Sequence, residues 1–434
     1  MSTTAVVITV GQTADPIVAA VEEAHREGAR EVTVFLLYGR PFPGQKPSPF
    51  DVAVAAQQRC EALGVSARTC EVADPEDIDV CLREARRVFG EVADAERVIV
   101  NFTGGTKALS AAVVHAALTA ELSGALVLDY TGGHVRDEHG RVLRDAMRIV
   151  RSERTATEER VRQVVQSARR SHYREARFLC QALPDRGRAR FVKKAIEALF
   201  LWDEFDYEEA NRIVQRLQET ARSLEDEPLL SPLARFVVRF GEVSRRLARL
   251  LPELRRAQDG HALNMEASAQ DDLPLLVADA LENSRRRLDE ERFTESVLRA
   301  YRAIESAVQV QLLRQGVNPW HPHWDALAPD VRQRYLERLG ATREPPSLAL
   351  RTGLELLQAL GLELSPDVHR HLQDVQQARN LSYLEHGYRR LDRSDAQRVH
   401  EHAGAICEAI LQKPLAEHRA QVRHRWESSD DALS

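Results

Sequence analysis

For its first 150 residues the chain keeps two rhythms in alternation, and then one of them stops. TAVVITV (4–10), EVTVFLLY (31–38), SARTCEV (66–72), ERVIVNF (96–102) and GALVLDY (124–130) are short apolar runs rich in β-branched residues. Between them lie helix-period stretches such as DPIVAAVEEAHREG (15–28), which has Asp15 as N-cap, Pro16 in the first turn and Gly28 as stop. Further helices are expected near 50–63, 75–92 and 106–122. Strands at this spacing, joined by helices, predict a parallel sheet covered on both faces. GHVRDEHGRVL (133–143) predicts a terminal hairpin turning at Glu138, His139 and Gly140.

Beyond residue 150 the β-branched runs cease and the remainder reads as helical. Breaks are expected at Pro184, Pro228, Pro232, Pro252, Pro274, Pro319, Pro322, Pro345, Pro346 and Pro366. The fold class is therefore an α/β Rossmann-like N-terminal domain followed by an all-α C-terminal region, and 434 residues suit two to three domains. A faint echo links Trp202–Ala210 to Leu288–Ser296: each reads as the turn of a helical hairpin. In the second copy Phe293, Val297, Tyr301 and Ala300, Ile304, Val308 form an apolar stripe.

The net charge of −6 rules out a general polyanion binder and leaves room for local basic patches. Five cysteines without C-x-x-C spacing predict reduced thiols of a cytosolic protein. No apolar run is long enough to span a bilayer, and the N-terminus runs straight into a strand without a basic leader. No histidine, cysteine or carboxylate cluster has metal-ligand spacing, so neither a metal nor a cofactor is expected.

Two stretches carry chemistry. Gly11-Gln12-Thr13 and Thr103-Gly104-Gly105-Thr106-Lys107 both fall at carboxyl ends of strands, where open α/β sheets bind ligands. Glycines allow close backbone approach, and Thr106 can cap the next helix, whose free N–H groups favour an anion. Only five of the 60 basic residues are lysines, and Lys107 is one of them. The nucleoside triphosphate loop does not fit, since Ala108 follows the lysine, and the dinucleotide glycine pattern is absent.

The second stretch is QARNLSYLEHGYRR (377–390). On a continuous helix Arg379 and His386, seven residues apart, share one face, about 10 Å apart along the axis. One chain then makes a loose site, and two copies across a dyad make a compact one. Arginine neutralises a phosphate, histidine relays protons near neutrality, and the 2′-hydroxyl of RNA supplies the nucleophile. Spacing alone does not single out this pair: Arg314 to His321, Arg393 to His400 and Arg256 to His261 are similar.

NFTGGTK after the fourth strand, with a polar loop after the first, resembles the CARF domain, the Rossmann-like sensor of type III CRISPR antiviral defence. The resemblance implies a homodimer whose Gly11, Gln12, Thr13, Thr103, Gly104, Gly105, Thr106 and Lys107 cradle a cyclic oligoadenylate activator, with cyclic tetra-adenylate expected. Asp129 and Tyr130 are expected to line the pocket. RNLSYLEHG is similar to the HEPN motif of ribonucleases, and 292–313 to the long helix that packs against it. The two ends together resemble CARF–HEPN ribonucleases. That implies a sensor at 1–150, a helical connector at 151–275 and a HEPN-like domain at 276–434, dimerising through an apolar stripe. Arg379 would bind the phosphate, Asn380 orient and His386 act as acid or base, cleaving single-stranded RNA to a 2′,3′-cyclic phosphate. A cytoplasmic place and no membrane or DNA partner are expected. The alternatives are a non-catalytic sensor, a sensor that also cuts its own ring, and an ordinary nucleotide-binding enzyme.

Overall fold

The structure is a computed structural model and describes residues 3–26, 31–42, 46–133, 135, 146–261, 267–382 and 387–423. The chain forms two compact units, one of residues 1–164 with 176–193, the other of 165–175 with 194–434.

The first unit opens with β1 (Thr3–Thr9), α1 (Asp15–Arg26), β2 (Glu31–Gly39), α2 (Pro49–Ala62), β3 (Ser66–Val72) and α3 (Ile78–Glu91). It continues with β4 (Arg97–Asn101), α4 (Lys107–Thr119), β5 (Ala125–Gly132) and β6 (Arg148–Ser152). The sheet order is β3-β2-β1-β4-β5-β6, parallel except for β6, which runs antiparallel to β5. Side chains alternate along each strand, so Ala5, Val7, Val98 and Val100 face α3 and α4. Val6, Ile8, Val10 and Ile99 face α1 and α2. Both faces are thus buried, as the near-continuous apolar runs required, at about 1.5–3 kcal/mol per large aliphatic side chain. The expected turn at 138–140 lies outside the described residues. β6 was not legible as a strand: RIVRS has two arginines in five residues and is only half-buried at the sheet edge.

The helices continue with α5 (Glu153–Arg169), α6 (Tyr173–Leu179), α7 (Gly187–Asp203), α8 (Tyr207–Ser223), α9 (Ser231–Gln258) and α10 (Ala267–Asp272). Then come α11 (Pro274–Asp289), α12 (Phe293–Arg314), α13 (Pro329–Leu339), α14 (Leu350–Ala359), α15 (Pro366–Leu381), α16 (Arg393–Leu411) and α17 (Ala416–Val422). Pro232, Pro274 and Pro366 occupy first-turn positions, where a missing N–H costs nothing. Pro252 departs from expectation: it sits inside α9, which continues to Gln258.

The stripe on α12 also departs from expectation. Val297, Ala300, Ile304 and Val308 are all buried within one chain, where α12 packs on α11, α14, α15 and α16. Phe293 and Tyr301, also on the stripe, stay half-buried. A buried charge cluster pins α7 to α11. Arg286 Nε donates to Asp203 Oδ1 at 2.8 Å, Arg287 pairs with the other oxygen, and Trp202 and Tyr207 donate to Asp279 at 2.8 and 2.6 Å. Removing one partner would strand a buried charge, which costs far more than a surface pair.

Candidate functional site

The order β2-β1-β4 places the chain reversal between β1 and β4, where a crevice opens beyond the strand ends. Ile8 pairs with Asn101 there, so the loops leaving β1 and β4 start side by side. Their glycines meet backbone to backbone. A Cβ on Gly104 would stand 2.3 Å from the Gly11 nitrogen and 2.5 Å from the Thr9 carbonyl oxygen; one on Gly11 would stand 3.1 Å from the Gly104 Cα. Gly105 adopts φ +79°, which a side chain would strain. The two loops read from the sequence as one site are thus brought together.

A polar triangle holds the β4 loop. Thr103 N–H donates to Asn101 Oδ1 at 3.2 Å, Asn101 Nδ2 donates to Thr131 Oγ1 at 2.9 Å, and Thr131 N–H donates to Thr103 Oγ1 at 2.6 Å. Ser110 Oγ donates to the Gly104 carbonyl at 2.7 Å. Sequence reasoning passed over Asn101 and Thr131, although an asparagine closing an apolar strand was a visible signal. Thr106 caps α4 by accepting from Leu109 N–H at 3.1 Å, and its hydroxyl donates to the Pro75 carbonyl. Its proton is therefore committed to the fold, and its own backbone N–H is what it can offer a ligand.

Ser110 N–H is taken by the Thr106 carbonyl, so the Lys107 and Ala108 N–H groups remain as first-turn donors with no intrahelical acceptor. Lys107 is exposed at that positive helix end, with Gly105 and Gln12 also exposed and Gly11, Thr13, Thr103, Gly104 and Thr106 half-buried. Tyr130 is exposed and tilts against Phe102, 5.9 Å between centroids. Asp129 does not line the crevice: it is fully buried, and Arg151 donates to both its oxygens at 2.8 and 3.0 Å. The result is an anion-receptive crevice of backbone amides and one ammonium.

The second site lies in the other unit. Arg379 is half-buried near the end of α15, its guanidinium 5.0 Å over the Tyr301 ring of α12. Nη1 donates to Asn380 Oδ1 at 3.0 Å, and Asn380 is exposed. Tyr301, one residue of the apolar stripe, thus lies beneath the arginine. The expectation of one continuous helix from Arg379 to His386 fails. α15 ends at Leu381, and Ser382 turns extended with its N–H on the Arg379 carbonyl.

The chain then returns to the helix end: Gly387 N–H donates to the Ser382 carbonyl at 3.2 Å and Arg389 N–H to that of Leu381 at 3.0 Å. A Cβ on Gly387 would lie 2.2 Å from the Leu381 oxygen, so the glycine after the histidine is a steric necessity. His386 itself lies outside the described residues. Tyr388, beside this loop, is 90% exposed.

The rival pairs dissolve into structure. His400 is buried against Ser284 and Arg419, Arg393 pairs with Glu291, and the His321 ring contacts the Gln258 carbonyl. The five cysteines are buried and none is in a disulfide. Burial pushes the Cys60 thiol up to about 11, away from nucleophilic use.

Residues 265–410 match the family model described as the Csm6 HEPN domain. That stretch, which holds Arg379 and Asn380, is thus similar to a HEPN domain. The likeness is to the Csm6 kind, and the chain's other unit carries a doubly wound sheet. Among solved structures, Enterococcus italicus Csm6 bound to cyclic hexa-2′-fluoro-hexa-dAMP is similar at 12% identity, covering 97% of this chain and 99% of that one, with a TM-score of 0.36. That overlap is too loose to transfer any residue role. No curated protein matches the chain.

Proposed function

We propose that this chain is a cytoplasmic, cyclic-oligoadenylate-activated endoribonuclease of CRISPR antiviral defence, acting on single-stranded RNA as a homodimer. The observation that carries the reading is the HEPN match over a segment whose arginine and asparagine stand together at a helix end. Arg379 receives the scissile phosphate, and its stacking on Tyr301 limits the guanidinium's freedom before substrate arrives. Asn380 orients that guanidinium through its side-chain oxygen. His386 moves the proton: the 2′-oxygen attacks phosphorus in line, the bond to the 5′-oxygen breaks, and the leaving oxygen takes a proton. The ends left are a 2′,3′-cyclic phosphate and a 5′-hydroxyl, with no metal in the scheme. A second copy completes the site.

At the sheet, Gly11, Gln12, Thr13, Thr103, Gly104, Gly105 and the amides at Thr106 and Lys107 receive the ring's phosphates, and the Lys107 ammonium adds its charge. Cyclic tetra-adenylate is the activator proposed. It activates only by binding the active dimer more tightly than the inactive one.

The test is cleavage of a fluorescent single-stranded RNA with and without cyclic tetra-adenylate. Wild type should cut faster with the ring; Arg379→Ala should lose cutting but keep ring binding; Lys107→Glu should lose ring binding and the response. Ring binding without cleavage would make the chain a sensor alone. Binding untouched by Lys107→Glu would remove the crevice from the scheme.

A further inference from the structure

The helical unit holds a cavity of about 500 Å³ that neither site uses, between α9, α11, α12 and the turn before α8. Its size suits a small organic ligand, for which sites run about 300–1,000 Å³. Its lining includes the aliphatic side chains of Leu251, Leu254, Leu276, Val310 and Leu313, and the indole of Trp320. The lining also carries Arg255, Arg299 and Arg302, with Ser306 and Gln309 adding a hydroxyl and an amide.

The arginines differ. Arg255 pairs with Glu208 at 2.6 Å and Arg302 with Glu305 at 3.3 Å, both at half-exposed side chains. Arg299 lies 4.6 Å over the Phe205 ring, and among the described residues no carboxylate pairs with it. Its acidic neighbours are engaged elsewhere, Glu204 by Arg174 and Glu295 by Arg292. Burial lowers its pKa from the ordinary value, yet a guanidinium stays charged at any working pH. Glu204 and Glu295 attract Arg299 from beyond ion-pair distance, so a half-buried guanidinium lining a cavity still favours an entering anion. A lining that combines aliphatic side chains, an indole and three guanidinium groups fits an anion with a flat heterocycle attached.

We propose that this cavity is a nucleotide site, taking a base against Trp320 and the aliphatic side chains and a phosphate at Arg299, with Ser306 and Gln309 on the base edge. The chemistry is shared by a free mononucleotide and by one unit of an RNA strand. The residues at 299, 302, 306, 309, 310 and 313 fall on one face of α12. Tyr301, which carries Arg379, stands on another, so an occupant would bear on the helix that backs the HEPN arginine.

Calorimetry on the full chain with AMP, GMP, CMP and UMP tests the idea, with a competing 2′-O-methyl RNA decamer that its own 2′-oxygen cannot cleave. At least one probe should bind, and the affinity should fall about tenfold or more in Arg299→Ala, as for loss of a charged hydrogen bond. Ser306→Phe, which fills the cavity and keeps the arginine, should do the same and decides the matter if Arg299→Ala misfolds. Lys107→Glu should leave this binding unchanged, which separates the cavity from the sheet crevice. Competition by the decamer assigns the site to an RNA strand; mononucleotide binding without competition assigns it to a free nucleotide. No binding of any probe, or equal binding by wild type and both variants, overturns the proposal.

Discussion

Gly104 and Gly387 do the same work at opposite ends of the chain: each lets backbone touch backbone where a side chain would collide. At Gly104 the collision is with the Gly11 nitrogen and the Thr9 oxygen, neither of which can swing aside. Gly104→Ala should therefore destabilise by about 1–3 kcal/mol and weaken ring binding, read by chemical denaturation and calorimetry. Gly387→Ala meets the Leu381 oxygen instead and should reduce RNA cleavage while leaving ring binding intact, because only the loop after α15 must shift. Tyr388 offers an exposed ring beside that loop. If it stacks on a substrate base, Tyr388→Ala should raise KM about tenfold with little change in kcat, since base stacking contributes about 1–3 kcal/mol. An unchanged KM would leave the ring without a substrate role. Both glycines were visible in the sequence; what each was avoiding was not, because the obstructing atoms come from a distant strand end or from a chain reversal.

At the scale of elements, the echo between 202–210 and 288–296 acquires a physical cause and a third copy. Phe205 and Glu291 adopt φ of 65° and 62°, and Ser171 adopts 64°. In each case the next N–H bonds back to the carbonyl five residues earlier, at Leu201, Arg287 and Ser167. An aromatic residue then opens the following helix: Tyr207, Phe293 and Tyr173. This is a helix stop with a left-handed residue, usually glycine, made here without one. The third copy escaped reading because its residues, Ser171 and His172, share no side-chain type with the others.

α16 carries a pH-sensitive contact. Arg419 can only donate, so His400 Nε2 accepts from it at 3.2 Å and Nδ1 holds the proton shared with Ser284 Oγ at 3.1 Å. Burial first and Arg419 second pull its pKa down to about 4 from the ordinary 6.5. Between those values the unfolded chain binds a proton that the native one refuses. Stability is thus full above about pH 6.5 and falls toward pH 4, by about 3 kcal/mol from this group alone. His400→Gln should flatten that slope in denaturant titrations at pH 4.5 and 7. Thr106→Val removes the cap of α4 and should cost about 1 kcal/mol.

At the scale of the molecule, the proposed function calls for two copies and two coupled sites. Sedimentation should give a dimer, in which the α12 stripe can offer only Phe293 and Tyr301, since one chain already buries Val297, Ala300, Ile304 and Val308. A coexpressed hybrid dimer of Lys107→Glu with wild type should keep a reduced ring response if the activator spans both sensors; an undiminished response would assign the ring to one chain. Among the described residues no helix is long and apolar enough to cross a membrane.

The linear pattern by itself determined the parallel sheet, the helices that cover it and the two loops at the switch point. Those follow from side-chain periodicity and from glycine at strand ends, and both are local. Tertiary structure alone decided that β6 joins the sheet edge, that four of the six stripe residues on α12 are core, that α15 stops at Leu381 and that Arg299 lines a cavity whose lining has no carboxylate. Each depends on which surface another segment covers, and burial by a distant neighbour leaves no trace in the period of the buried residues themselves.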